Sequence, residues 1–134
     1  MIARASRTVE FRIPMPPSTN ALYRNVSATE RARAALRNYR LPGRAKTKVY
    51  TSWRKSAWVE MLLQHCPLPK FDDQVELEID LPPGIDADNT KAIPDLLQTL
   101  GIIKNDALVV KQVTSRVDGD RAWCVVRIYQ AELS

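Results

Sequence analysis

A chain of 134 residues is the length of one domain, and with 45% apolar residues it can bury a core of its own. No apolar run reaches the roughly 18 residues of a membrane span, and the opening Met1-Ile2-Ala3-Arg4-Ala5-Ser6-Arg7 lacks the apolar stretch of a secretory leader, so a cytoplasmic protein without membrane partners is expected. The net charge is +5, and His65, Cys66 and Cys124 show no zinc-type spacing, which leaves a helix-end histidine and two reduced, partly buried thiols as the expectation.

In chain order, residues 8–13 alternate, with Val9, Phe11 and Ile13 on one side and Thr8, Glu10 and Arg12 on the other, which predicts a half-buried strand. Pro14, Pro16 and Pro17 stop it, because proline cannot donate to a ladder, and residues 18–20 read as a turn. Residues 24–46 are basic, lack a clear period and are expected to be mobile until an anion orders them. The one element predicted there is a short helix over 29–39, rich in Ala, Arg and Leu and ended by Pro42-Gly43. Residues 47–64 predict a stronger helix. Thr47 can cap it, Val49, Trp53, Ala57 and Met61 recur at a spacing of four, Trp58 and Leu62 widen the stripe, and Pro67 and Pro69 terminate it. Both tryptophans are read first as core and second as base-stacking groups.

Residues 74–81 form the clearest strand pattern, with Val75, Leu77, Ile79 and Leu81 opposed to Gln74, Glu76, Glu78 and Asp80. Pro82-Pro83-Gly84 ends it. A second helix over 90–100 carries Ile93, Leu96, Leu97 and Leu100, with Gly101 at the C′ position. With Thr90 as its cap, Pro94 falls at the fourth helical position and removes one backbone bond. Strands over 108–117 and 122–130 close the chain, and Asp118-Gly119 between them predicts a hairpin. The expected architecture is a single α/β (α+β) domain over residues 1–134, in the order β-α-β-α-β-β, with helices packed on one face of a small mixed sheet.

Charge is spread unevenly. From Arg24 to Lys55 ten basic residues meet one acid, Glu30, whereas from Asp72 to Asp106 nine acids meet two lysines. That juxtaposition suits polyanion binding beside cation binding, and equally suits a solvated loop beside a solvated strand face.

The informative stretch is Gly84-Ile85-Asp86-Ala87-Asp88-Asn89-Thr90-Lys91, at a strand-to-helix junction. Asp86 and Asp88 are two apart, so on extended chain their carboxylates share a side. Carboxylates held that close repel unless a proton or cation offsets them. Without zinc-type ligands nearby, oxygen donors favour Mg²⁺, with Mn²⁺ able to substitute. Such an ion activates a bound water and offsets charge on a phosphate, and an ammonium such as Lys91 can stabilise a leaving oxygen. The same side chains also suit helix capping and turn closure. Asp106, opening a later strand, is a third acid that spacing alone does not bring to Asp86.

Three pieces, taken together, resemble the RusA family of Holliday-junction resolvases. They are Pro16-Pro17-Ser18-Thr19-Asn20 with Tyr23-Arg24, then Asp86-Ala87-Asp88-Asn89 with Lys91 and Asp95-Leu96-Leu97, and last Gly101-Ile102-Ile103-Lys104-Asn105-Asp106 with Val109. The likeness runs from residue 8 to about 130. It implies a Mg²⁺-dependent homodimeric endonuclease that makes paired cuts in four-way DNA junctions during recombination and repair. Asp86, Asp88 and Asp106 would be the metal-binding, catalytic carboxylates, Lys91 the catalytic lysine, and Asn20 and Arg24 would lie near the site or the DNA. The basic run, including Arg44, Lys46 and Lys48, would then contact phosphates of the junction arms. The chain departs from the family pattern in having Thr90 alone between Asn89 and Lys91, where two residues are usual, and Asn105-Asp106 where a pair of aspartates is common. The competing expectations are a non-catalytic branched-DNA-binding protein that retains the fold and a structural or partner-binding protein.

Overall fold

The computed structural model describes residues 7–18, 21–25, 27–37 and 44–131. Its central strand is β4 (Val75–Leu81), the fourth of the strands in chain order. The apolar positions of β4, Val75, Leu77, Ile79 and Leu81, are fully buried, and Glu76, Glu78 and Asp80 lie half-buried on the other face. β6 (Trp123–Gln130) pairs antiparallel along one edge of β4 and β5 (Val109–Arg116) pairs parallel along the other. β1 (Thr8–Pro14) adds antiparallel outside β6, giving the order β1-β6-β4-β5. The register sets Phe11, Val126 and Ile79 side by side across three strands, so one face of the sheet is apolar from edge to centre.

Two helices cover that face. α2 (Lys48–Gln64) follows Thr47, whose hydroxyl accepts the Tyr50 N–H at 3.1 Å as an N-cap. It buries Tyr50, Trp53, Ala57 and Met61, and the Trp53 indole donates to the Pro14 carbonyl at 2.8 Å. α3 (Ala92–Thr99) buries Ala92, Ile93, Leu96 and Leu97, and the Tyr50 hydroxyl donates to the Asp95 carboxylate, joining the two helices. Gly101, at φ +74°, takes the left-handed C′ position expected of it. The chain is thus a single small mixed α+β domain, and its main elements run β-α-β-α-β-β as the sequence predicts.

Four details differ from the sequence expectations. On α2 the buried stripe is 50, 53, 57 and 61, while Val49 is 57% exposed and Trp58 46% exposed. A strict spacing of four advances about 40° per step at 3.6 residues per turn, so it cannot stay on one face for three steps. Second, residues 87–91 form a 3₁₀ turn before α3, capped by Asp86 and not Thr90. Pro94 is then the third residue of α3, inside the first turn, where its missing N–H leaves no bond unmade. Third, β5 and β6 are not a hairpin. The Val117 N–H still donates to Leu81 O at 2.9 Å, beyond which the chain crosses the end of β4 and pairs with β1, Met15 N–H donating to Ala122 O at 2.8 Å. The reason lies in side chains. Beside Leu77, Ile79 and Leu81, β5 presents Gln112, Thr114 and Arg116, whereas β6 presents Cys124, Val126 and Ile128 to the core, so β6 takes the inner place. Fourth, the basic segment holds the short helix expected there, α1 (Ala28–Ala35) with a Ser27–Glu30 capping box, but adds an unexpected ribbon in which β2 (Tyr23–Asn25) pairs antiparallel with β3 (Arg44–Lys46). Residues 26 and 38–43 lie outside the described residues.

The second face of the sheet is polar and is organised by Arg127 of β6. Its guanidinium donates to Asp80 at 2.7 Å and to Glu10 at 2.8 Å, and lies 3.7 Å from Glu78. The hydrogen bond to Asp80 and the charges of Asp80 and Glu10 raise its pKa further above the usual arginine range.

His65 ends α2 as expected, its Nε2 3.1 Å from the Glu10 carbonyl and its ring edge-on to Phe11. Burial pushes the Cys124 thiol up to about 12, while Cys66 is exposed. A thiol reagent at neutral pH should therefore modify Cys66 quickly in the folded chain and Cys124 only after denaturation; two fast thiols would contradict the burial of Cys124. Ile79→Ala should cost about 2–5 kcal/mol in urea unfolding, since the side chain is fully enclosed.

Candidate functional site

The segment after β4 is built to return along β5. Pro82-Pro83 cannot continue a ladder, and Gly84 at φ +86° turns the chain. A Cβ on Gly84 would lie 2.9 Å from Nη2 of Arg121, the group that donates to Gly84 O at 3.3 Å, so the glycine also permits close approach. Arg116, at the end of β5, donates to Ile85 O and, at 3.5 Å, to Pro82 O. Further back along β5, Gln112 donates to the Thr90 hydroxyl at 3.1 Å, and Thr90 in turn donates to Ala87 O at 2.8 Å. Thr90 is 4% exposed and holds the 3₁₀ turn down on the sheet.

Asp86 accepts the Asp88 N–H at 2.9 Å, and the carboxylates of both residues face solvent. Asp88 and Lys91 are three apart in the 3₁₀ turn, where side chains at that spacing eclipse, and they pair at 3.7 Å. Asp88, Asn89, Thr90 and Lys91 thus lie within one tight turn. Asn89 donates to Pro16 O at 3.5 Å, which joins this segment to the proline turn after β1.

Asp106 lies at the far end of the crossover. Asn105 accepts the Ala107 N–H at 2.8 Å and caps a short 3₁₀ turn at Asp106–Leu108, while the Asp106 N–H donates to Gln98 at 2.9 Å. The exposed Asp106 side chain and Lys91 line one open groove of about 430 Å³, floored by Val109, Val110 and Gln112. Lys91 therefore stands between Asp88 and the groove that holds Asp106.

The three aspartates are not gathered equally. Asp86 and Asp88 are neighbours, but among the described residues no group of three or more acid, histidine or cysteine side chains is arranged to hold a metal ion. Topology gives the cause. Parallel β4 and β5 place the end of one and the start of the other a strand length apart, roughly 20 Å. Residues 85–91 recover part of that distance.

Among the expected DNA contacts, Lys46 and Lys48 are exposed, Arg24 and Arg44 sit on the two strands of the β2–β3 ribbon, and Asn20 lies outside the described residues. Arg116, Arg121, Gln112 and Gln98 were not singled out in the sequence, yet they fix the backbone that carries Asp86, Asp88, Lys91 and Asp106. No local pattern marks them, because each reaches a partner distant along the chain or on another element. Among the described residues no helix is long and apolar enough to cross a membrane. No family model matches the chain, and no curated protein matches it.

Asp88 and Lys91 are both about two-thirds exposed, at 63% and 64%. Their pair should contribute little to folding, so Lys91→Ala should change unfolding stability by less than about 1 kcal/mol. A larger loss in urea denaturation would show that Lys91 has a structural task there.

Proposed function

We propose that this protein is an endonuclease for branched DNA, of the kind that resolves four-way junctions by paired phosphodiester hydrolysis in recombination and repair. Mg²⁺, with Mn²⁺ as a substitute, is the proposed cofactor, and Asp86, Asp88 and Asp106 are its proposed ligands. The observation that carries this reading is the meeting of three chain-distant segments at one open surface. Asn89 bonds to Pro16 O, Lys91 pairs with Asp88, and Lys91 shares a groove with Asp106. Lys91 there sits as a cation paired with Asp88 and sharing a groove with Asp106, where an ammonium can stabilise a leaving oxygen. Two cuts related by a twofold axis call for two copies of the site, so the active species is a homodimer acting in the cytoplasm.

One observation favours a second reading, a branched-DNA-binding protein without catalysis. Thr90 alone stands between Asn89 and Lys91, where the family that the chain resembles has two residues. A synthetic four-way junction separates the two. Catalysis predicts nicked product in Mg²⁺, and an Asp88→Asn variant that still binds the junction but cuts about a thousandfold more slowly, equivalent to roughly 4 kcal/mol. An intact junction over a range of Mg²⁺, Mn²⁺ and pH, with tight salt-sensitive binding, would replace the first reading with the second. Absence of any junction preference at low salt would remove both.

A further inference from the structure

Of the two tryptophans on α2, only Trp53 is explained by packing: it is buried and its indole N–H is used by Pro14 O. Trp58 is 46% exposed and forms a wall of a second open groove, of about 290 Å³, with Thr51, Arg54 and Lys55 of α2 and with Thr99 and Leu100 at the end of α3. Positions 51, 54, 55 and 58 follow the i, i+3, i+4, i+7 spacing of one helix face, about a quarter-turn from the buried stripe.

We propose that this groove binds an unpaired DNA strand, with one base stacked on the Trp58 indole and its flanking phosphates held by Arg54 and Lys55. Several observations converge on that chemistry. A large aromatic face left open to water beside two cations matches what single-stranded nucleic acid requires, a stacking platform and a cationic track. Among the described residues no carboxylate lines the groove, and the sequence has no acid between Glu30 and Glu60. The Arg54 guanidinium lies over the Tyr50 ring, 5.5 Å from its centroid, which orients it and leaves N–H groups for a phosphate. The groove lies at the small end of ligand clefts, which run from roughly 300 to 1,000 Å³, and so suits a single nucleotide unit. A base inside duplex DNA has both faces covered, so only an unpaired base can offer one to the indole. The inference rests on the branched-DNA reading for the source of that strand, since flaps, gaps and frayed arm ends of branched DNA expose such bases.

The test uses the full chain and a fluorescein-labelled oligo-dT of about twelve nucleotides, followed by anisotropy and by tryptophan quenching. Wild type should bind it and show quenching. Trp58→Ala should weaken binding roughly tenfold, and Trp58→Phe should restore most of the loss. Lys55→Gln should lower the slope of log affinity against log salt by about 0.7. Far-UV circular dichroism checks that each variant is folded. Equal affinity for wild type and Trp58→Ala, or no affinity of wild type for the oligonucleotide at low salt, overturns the proposal. Junction cleavage measured in parallel separates the two ideas: cutting without oligonucleotide binding removes the stacking site alone, while Trp58-dependent binding without cutting removes the nuclease reading alone.

Discussion

Strand β4 is hydrogen-bonded along both edges, and its two pairings run in opposite senses, antiparallel to β6 and parallel to β5. A parallel neighbour requires a crossover, because the chain must travel back the length of the strand before it can start again in the same direction. In this chain the crossover is the stretch that carries Asp86, Asp88, Asn89, Lys91 and, at its far end, Asp106. Everything about the candidate site follows from that path. Asp86 and Asp88 lie where the chain enters that crossover, and Asp106 where it leaves it. Lys91 stands between them because residues 85–91 run back over β5, held by Arg116 at one end and by Gln112 at the other.

The charge pattern divides differently once folded. The acids between Asp72 and Asp106 look like one block in the sequence, but Glu76, Glu78 and Asp80 belong to the polar face of the sheet. There Arg127 pairs with Glu78 and Asp80, and Lys111 lies 4.0 Å from Glu76. Those acids are compensated within the fold, on the face away from the two packed helices. The acids of the crossover are a separate group with different neighbours. The basic run divides as well: part of it lies in the β2–β3 ribbon, and Arg54 and Lys55 flank an exposed tryptophan on α2.

Much of the fold was legible because it rests on periodicity. The period-two alternation of β4 and β1, the Thr47 cap of α2 and the C′ glycine after α3 each have one local cause, and each appears where the sequence places it. The misreadings arose where a local signal competes with a non-local one. Asp118-Gly119 is a good turn, but the polar inner side of β5 makes it an edge strand, and the apolar β6 inserts on the other side of β4. Thr90 has the chemistry of a cap, but Gln112 uses its hydroxyl from a strand more than twenty residues away. The candidate site was legible as three motifs in order. The groove shared by Lys91 and Asp106, and the arginines that hold the acidic segment, depend on tertiary contacts that no spacing rule contains.

The central physical claim is that Asp86, Asp88 and Asp106 act on one divalent ion despite their distance along the fold. It is tested most directly by titrating Mn²⁺ onto the protein bound to a nuclease-resistant four-way junction, following loss of the free-ion paramagnetic signal. If the carboxylates share an ion, Asp88→Asn and Asp106→Asn each weaken Mn²⁺ binding by at least about tenfold, or roughly 1.4 kcal/mol. An Asp106→Asn variant that holds Mn²⁺ as tightly as wild type would contradict it.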